Sequence, residues 1–252
     1  MDRKTALITG AAKRIGRAIA FDMAAHGWSI AVHYNTSPQE AEETRDAIRK
    51  TGASAEIVQG DLAGTAALAG LIKRAQAALG PVSCLINNAS VFDYDDIATM
   101  TPESWEDHIA VNLGAPLFLS QAFAAALPAD RNGNIVNLID QRVRKLTPHF
   151  VSYTLSKAGL WTATKTLAQA LAPRIRVNAI APGPTLPNVR QRQEDFAKES
   201  GATLLGHGPE PEEIAAAVRF ILDAPSLTGQ MIALDGGQHL VWQTPDVGTE
   251  QP

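Results

Sequence analysis

The sequence of 252 residues contains one cysteine, Cys84, so no intramolecular disulfide can staple the fold, and a reducing compartment suits it. Cys84 lies in the apolar run VSCLIN, which marks a buried core thiol rather than a nucleophile. Basic residues are not in excess: 22 Lys and Arg stand against 26 Asp and Glu, a net charge of −4. That balance gives no electrostatic footprint for nucleic acid. No apolar run approaches the ~18 residues a membrane span needs, and MDRKTALITG enters a strand without an apolar leader. Low-complexity linkers and internal repeats are missing. His149 and His207 show no ligand spacing, so no metal is expected. These absences describe a soluble, cytoplasmic protein held together by its core.

What is present is alternation. Short runs rich in Val and Ile are separated by amphipathic stretches, the pattern of a parallel sheet with helices on both faces. TALIT, SIAVHY, AEIVQ, VSCLIN, NIVNLI, RVNAI and MIALD are the predicted strands. One helix is predicted from Ser37, with Pro38 first and Glu40 closing a capping box. Others are predicted from Thr101, followed by Pro102, and from near Pro211. The alternation runs to about Asp235 and predicts a single α/β domain over residues 1–238, a Rossmann-type doubly wound sheet of about seven strands. Residues 239–252, HLVWQTPDVGTEQP, read as a partly mobile tail.

The first strand runs into TGAAKRIGRAIA, a turn that opens a helix. Gly10 and Gly16 let the backbone turn and approach a pyrophosphate, whose charge a helix N-terminus favours. Lys13 and Arg14, beside Ile15, suit additional phosphate charge. The second strand ends VHYNTS, where an acid would bind the ribose 2′-hydroxyl of NAD. Instead His33, Asn35 and Ser37 flank Tyr34, and all three can donate to phosphate oxygens. The expected cofactor is therefore NADPH. Asp61 and Leu62 follow the third strand, placed to meet an adenine; a plain turn aspartate is the alternative.

Tyr153 and Lys157 are four residues apart and share a helix face. Free tyrosine titrates near 10, and a neighbouring ammonium is expected to favour its phenolate and bring proton transfer toward neutral pH. Together with TGAAKRIG, the segments DL at 61–62, NNAS at 87–90, AVNLG, YTLSK, RVNAIAPGPT and LDGG resemble the short-chain dehydrogenase/reductase family along nearly the whole chain. The resemblance implies a nicotinamide cofactor at the carboxyl ends of the strands, with Asn88, Ala89 and Ser90 beside it. It implies that Asn112 steadies a relay water, that Lys157 also binds the nicotinamide ribose, and that Pro182, Gly183 and Thr185 hold the carboxamide end. It also implies a homotetramer.

Asp140, thirteen residues before Tyr153, departs from that pattern, because most family members place a serine there. An ionised carboxylate cannot donate to a carbonyl gaining negative charge. It suits a substrate offering N–H groups, or a ring nitrogen protonated after hydride reaches the adjacent carbon. The pteridine reductases of this family look similar here: the KRIG turn, HY-x-x-S, NNAS followed by Phe92, and the aspartate. That likeness implies a pterin or folate substrate stacked on Phe92 and reached by Arg14, Ser90, Asp140 and Tyr153. Phe92 as an ordinary core or lid aromatic is the plainer alternative. The expected activity is NADPH-dependent reduction of a dihydropterin or dihydrofolate. A carbonyl or 3-oxoacyl reductase and a non-catalytic NADPH-sensing scaffold are the rivals. Arg142, Arg144 and Lys145 read as a solvated or subunit-facing edge, with an acidic substrate tail as the alternative. Trp161 suits either a subunit contact or the core.

Overall fold

Strands covered on both faces need apolar side chains at successive positions, and the Val/Ile runs are where the strands form. The computed structural model describes residues 4–188 and 191–242. Its strands are β1 (Lys4–Ile8), β2 (Trp28–Tyr34), β3 (Ala55–Gln59), β4 (Val82–Asn87), β5 (Gly133–Leu138), β6 (Ile175–Pro182) and β7 (Met231–Leu234). They form one parallel sheet in the order β3-β2-β1-β4-β5-β6-β7. The helices are α1 (Arg14–Ala25), α2 (Pro38–Lys50), α3 (Thr65–Leu79), α4 (Pro102–Ile109), α5 (Ala115–Ala126), α6 (Val151–Leu171), α7 (Gln193–Gly201) and α8 (Pro211–Asp223). One core packs α1, α2 and α8 on a face of the sheet, around Ile19, Ile48 and Ile214. The other packs α3, α5 and α6 on the opposite face, around Leu71, Phe123 and Ala168. Cys84 is fully buried in the first core, and burial pushes its thiol up to about 12.

Helix starts follow local chemistry, with one correction. Thr101 caps α4 by accepting from the Ser104 N–H at 3.2 Å, and Pro102 opens the helix. Pro38 opens α2 as expected, but the capping box does not form. The Ser37 hydroxyl instead accepts from Lys13 Nζ at 3.0 Å, and Glu40 lies 3.8 Å from the same ammonium. A charged donor is the stronger partner for both groups. The capping box of this chain stands at Glu210 and Glu213, on α8. The helical stretch 102–126 matches a membrane span by length and composition alone, with a mean hydropathy of 1.5 in its most apolar window. Here its Leu119 and Phe123 are buried in the core instead.

The start of the tail is held rather than loose. A short 3-10 turn, Gln238–Leu240, accepts Lys145 Nζ on the Gln238 carbonyl and Arg144 on His239 Nε2, each at 3.3 Å. Arg144 is exposed, as a solvated edge would have it, and Lys145 is half-buried. Residues 243–252 of the predicted tail lie outside the described residues. Trp161 is partly buried against a small cluster around Leu160 and Ala179, with Lys165 over its ring.

The order in which strands are added reverses between β1 and β4, the switch point at which a crevice opens in such sheets. Thr9 clasps it: its hydroxyl accepts from the Asn88 and Ala89 N–H groups at 2.9 and 3.0 Å. A second polar thread runs from Asn87 to Asn137 at 2.8 Å and from Asn137 to Thr164 at 2.9 Å, tying β4 and β5 to α6. Buried links of this kind set one register for the helix that carries Tyr153, although Asn87 Oδ1 itself accepts no hydrogen bond. Thr9→Val keeps the shape and strands two amide donors, so it should cost roughly 1–3 kcal/mol. The denaturant midpoint should fall while the m-value stays constant; an unchanged midpoint would mean the clasp is dispensable.

Candidate active site

The turn into α1 is built for close approach. Gly10 has φ of +63°, and a Cβ on Gly16 would sit 2.3 Å from the Gly10 carbonyl oxygen. The N-terminus of α1 has no side-chain cap and no acid in its first turn, so its amides face an open, positive end. With Lys13 and Arg14 alongside, this is a cradle that fits the pyrophosphate of a dinucleotide. Lys13 and Ser37 meet at 3.0 Å, and Asn35 lies next to Asp61 at 3.4 Å. Asp61 accepts from the Ala63 N–H at 3.0 Å, which makes it a turn aspartate at the rim. Leu62 is buried in the second core, against which Ala89 packs, while Ile15 and Tyr34 pack partly buried against the first. The Asn88 side chain donates to the Thr9 carbonyl at 2.8 Å and braces the turn.

His33 does not belong to the phosphate-binding donors. It is buried, its Nδ1 accepts from the Gly10 N–H at 3.1 Å, and its Nε2 donates to the Gly60 carbonyl at 3.0 Å. Both nitrogens are used, and burial lowers its pKa to about 4. The residue holds the turn from beneath. Arg14 reaches across to the Leu186 and Pro187 carbonyls at 3.3 and 3.0 Å, joining the turn to the segment after β6. In that segment Gly183 donates to Leu234 at 2.8 Å, and a Cβ there would meet Asp235 at 2.7 Å. The Thr185 hydroxyl donates to the Gly183 carbonyl at 3.1 Å, three residues past Pro182 at the end of β6.

Across the crevice, α6 brings Tyr153 and Lys157 together. The Tyr153 hydroxyl donates to Asp140 Oδ2 at 2.9 Å, and Asp140 Oδ1 accepts from the Arg142 N–H at 2.8 Å. Lys157 is buried, donates to the Leu138 carbonyl at 2.9 Å, and lies 5.6 Å from the Tyr153 ring centre. Asn112 sits in a π-turn, Ala110–Gly114, between α4 and α5. Its amide accepts from the Val91 N–H at 2.8 Å and donates to the Val91 carbonyl at 2.9 Å and the Ser156 hydroxyl at 3.1 Å. Ser90 donates to Asn112 Oδ1 at 3.1 Å.

The expected lowering of the Tyr153 pKa is reversed. Burial, then the charge of Asp140 and its hydrogen bond, hold the phenol well above its ordinary value. Asp140 is raised as well, chiefly by burial, while the Arg142 N–H and the charges of Arg142 and Lys157 pull it down. Burial lowers Lys157 to about 8. A phenol that stays protonated is a donor.

Phe92 is brought to this pair, with its ring edge-on to Tyr153 at 4.6 Å. One of its faces is covered by Phe150, stacked at 4.6 Å and 8°. Phe150 was not singled out from the sequence; it stands immediately before α6, three residues ahead of Tyr153. Phe150 has φ of +57° and its N–H donates to the Asp95 carbonyl at 2.7 Å. The buried Asp95 carboxylate accepts from the Ser152 N–H at 3.2 Å, holding the α6 N-terminus. Nothing in the local sequence marks that aspartate.

The chain belongs to the short chain dehydrogenase family, whose model matches residues 4–198. The structure is similar to FolM alternative dihydrofolate reductase 1 of Brucella canis, solved in complex with NADP, at a TM-score of 0.94 and 51% identity over 97% of both chains. In sequence the chain is also similar to the 3-oxoacyl-[acyl-carrier-protein] reductase FabG of Staphylococcus aureus, at 31% identity, covering 94% of this chain and 98% of the relative. It is 34% identical to 3beta-hydroxysteroid dehydrogenase 1 of Eggerthella lenta, over 94% of each. The family thus spans different substrates on one scaffold.

His33 generates a stability test. Its pKa is depressed in the fold, so the unfolded chain takes up the proton first as pH falls. The contribution is complete above about 6.5 and is lost down to about 4, on the order of 3 kcal/mol in all. His33→Asn should therefore lose less stability than wild type between pH 7 and pH 4.5 in urea titrations. Parallel pH profiles for the two proteins would contradict the buried, uncharged histidine.

Proposed function

We propose that this protein is an NADPH-dependent reductase acting on a C=N bond of a dihydropterin or dihydrofolate. The observation that carries the reading is the 2.9 Å hydrogen bond from Tyr153 to Asp140, a carboxylate where most of the family has serine. Likeness at 51% identity to a FolM alternative dihydrofolate reductase supports it. Lys13, Arg14, Asn35 and Ser37 would hold the 2′-phosphate and pyrophosphate. Asn88, Ala89, Ser90, Lys157, Pro182, Gly183 and Thr185 would hold the nicotinamide half. Bound there, the reduced nicotinamide supplies the hydride. Tyr153 gives its proton to the ring nitrogen beside the reduced carbon. Asp140 orients the phenol and accepts N–H groups of the heterocycle, and Lys157 and Asn112 connect the pair to the backbone behind it. Phe92 offers its uncovered face to the flat ring. A cytoplasmic homotetramer belongs to the same reading, with the exposed Phe118 and Leu155 of α5 and α6 as the faces for subunit contact.

A second reading, reduction of a 3-oxoacyl carbonyl, rests on the FabG likeness at 31% identity. It needs Asp140 protonated so that it can donate to the substrate oxygen, and burial moves its pKa in that direction. Assaying dihydropterins, dihydrofolate and an acetoacetyl thioester side by side separates the two. Asp140→Ser should abolish pterin reduction and spare NADPH binding. Full pterin activity in that variant, or a wild type that prefers the thioester, establishes the carbonyl reading instead.

Two further outcomes are expected. NADPH should exceed NADH by at least about tenfold in kcat/KM, roughly 1.4 kcal/mol. Equal use would remove the phosphate role of Lys13 and Ser37. Tyr153→Phe should cost on the order of 10²–10⁴ in kcat with NADPH affinity retained. Near-normal turnover would assign the proton to another group.

A further inference from the structure

Arg142 was expected on a solvated edge, yet its side chain is only 17% exposed. Its guanidinium lies 4.8 Å from the Phe150 ring centre and 5.9 Å from that of Phe92. Its main-chain N–H holds Asp140 Oδ1 at 2.8 Å. Glu199, on α7, approaches the guanidinium to 4.0 Å, beyond hydrogen-bond reach. One residue thus touches the reacting pair from two sides: through Asp140 directly, and through the aromatic shelf that meets Tyr153 edge-on at 4.6 Å.

We infer that Arg142 is a positioning residue of this site: its guanidinium clamps the Phe92–Phe150 shelf, and its charge, shared with Glu199, governs the proton held by Asp140 and Tyr153. The inference rests on the reading that Tyr153 delivers the proton. A planar guanidinium can lie on an aromatic face, which an ammonium cannot reproduce. A cation beside a carboxyl and a phenol favours their anions, so Arg142 makes the pair release its proton at lower pH. Glu199 counters part of that charge, which links α7 to the chemistry. The other groups facing the pair do not duplicate this arrangement. Lys157, from α6, is committed to the Leu138 carbonyl. His108, from α4, has its ring 6.3 Å from Tyr153 and both nitrogens engaged, on Ser104 and Asp93. Ser90 is uncharged.

The experiment is the pH profile of kcat and KM for the NADPH-loaded enzyme, comparing wild type with R142M, R142K and E199Q. The limb on which turnover falls with rising pH should move up by about half a unit to one unit in R142M. It should move down in E199Q and stay in place in R142K. KM for the pterin should rise several-fold in R142K, with NADPH affinity by fluorescence unchanged. A structural role would lower activity without opposed movement of the limbs. Coincident limbs, or limbs moving the same way in R142M and E199Q, overturn the inference. Should R142M not fold, the downward shift in E199Q and the KM effect in R142K decide it alone. If wild type reduces only the acetoacetyl thioester, the pterin reading has failed; the limbs measured on that thioester still test Arg142.

Discussion

A phenol donating to a half-buried carboxyl group is the contact that organises this protein. Tyr153 and Asp140 come from different elements, α6 and the end of β5, and they meet at 2.9 Å. Holding them there requires the helix register to be set to a fraction of a turn. The Asn87–Asn137–Thr164 thread does this from the sheet side, and Asp95 does it from the helix N-terminus. Burial raises both pKa values; Asp140 also opposes ionisation of Tyr153, while the hydrogen bond from the neutral phenol favours the ionised Asp140. The pair therefore titrates as a unit. Lys157 stabilises negative charge from behind while bound to a backbone carbonyl, so it supports the pair without replacing Asp140 as Tyr153's partner.

The cofactor side shows the same economy of polar groups. His33 stands at a position where a phosphate ligand is reasonable, yet the β2 strand directs it inward, beneath the glycine turn. A buried histidine with one donor and one acceptor nitrogen satisfies Gly10 and Gly60 together. Its price is sensitivity to acid. Asn35 and Ser37 lie past the end of β2 at Tyr34, where the strand no longer buries them. His33 has the same parity as both, so strand alternation alone could not have separated it from the phosphate set.

The seven strands and the crevice could be read directly, because fully buried strands need continuous apolar runs and such runs are rare elsewhere in this chain. Tyr153, Lys157, Asp140 and the glycine turn were equally visible, since their spacing carries chemistry. Phe150, Asp95 and Thr9 were not. Each acts through a contact made by chain folding: Asp95 lies 57 residues before Ser152, and Thr9 lies 79 before Asn88. No periodicity records a pairing at that separation. The contacts of Arg144 and Lys145 were hidden for the same reason, as the turn at Gln238–Leu240 arrives from the far end of the chain.

The choice between imine and carbonyl chemistry turns on where the proton sits in the resting pair. With Tyr153 donating, Asp140 has one oxygen on that phenol and the other on the Arg142 amide. An oxygen already accepting can still receive an N–H from a heterocycle, because each carboxylate oxygen has two lone pairs. It cannot donate to a developing oxyanion until it is itself protonated, and the phenol's proton already points at it. A C=N substrate uses this arrangement as it stands, placing its ring nitrogen within reach of Tyr153 and its N–H edge toward Asp140. A ketone requires an added proton and a reversed hydrogen bond. Arg142 and Lys157 both work against that addition, since two nearby cations favour the ionised carboxylate. Burial pulls the other way and raises Asp140 overall, so the proposed C=N chemistry depends on those two cations keeping the carboxylate ionised.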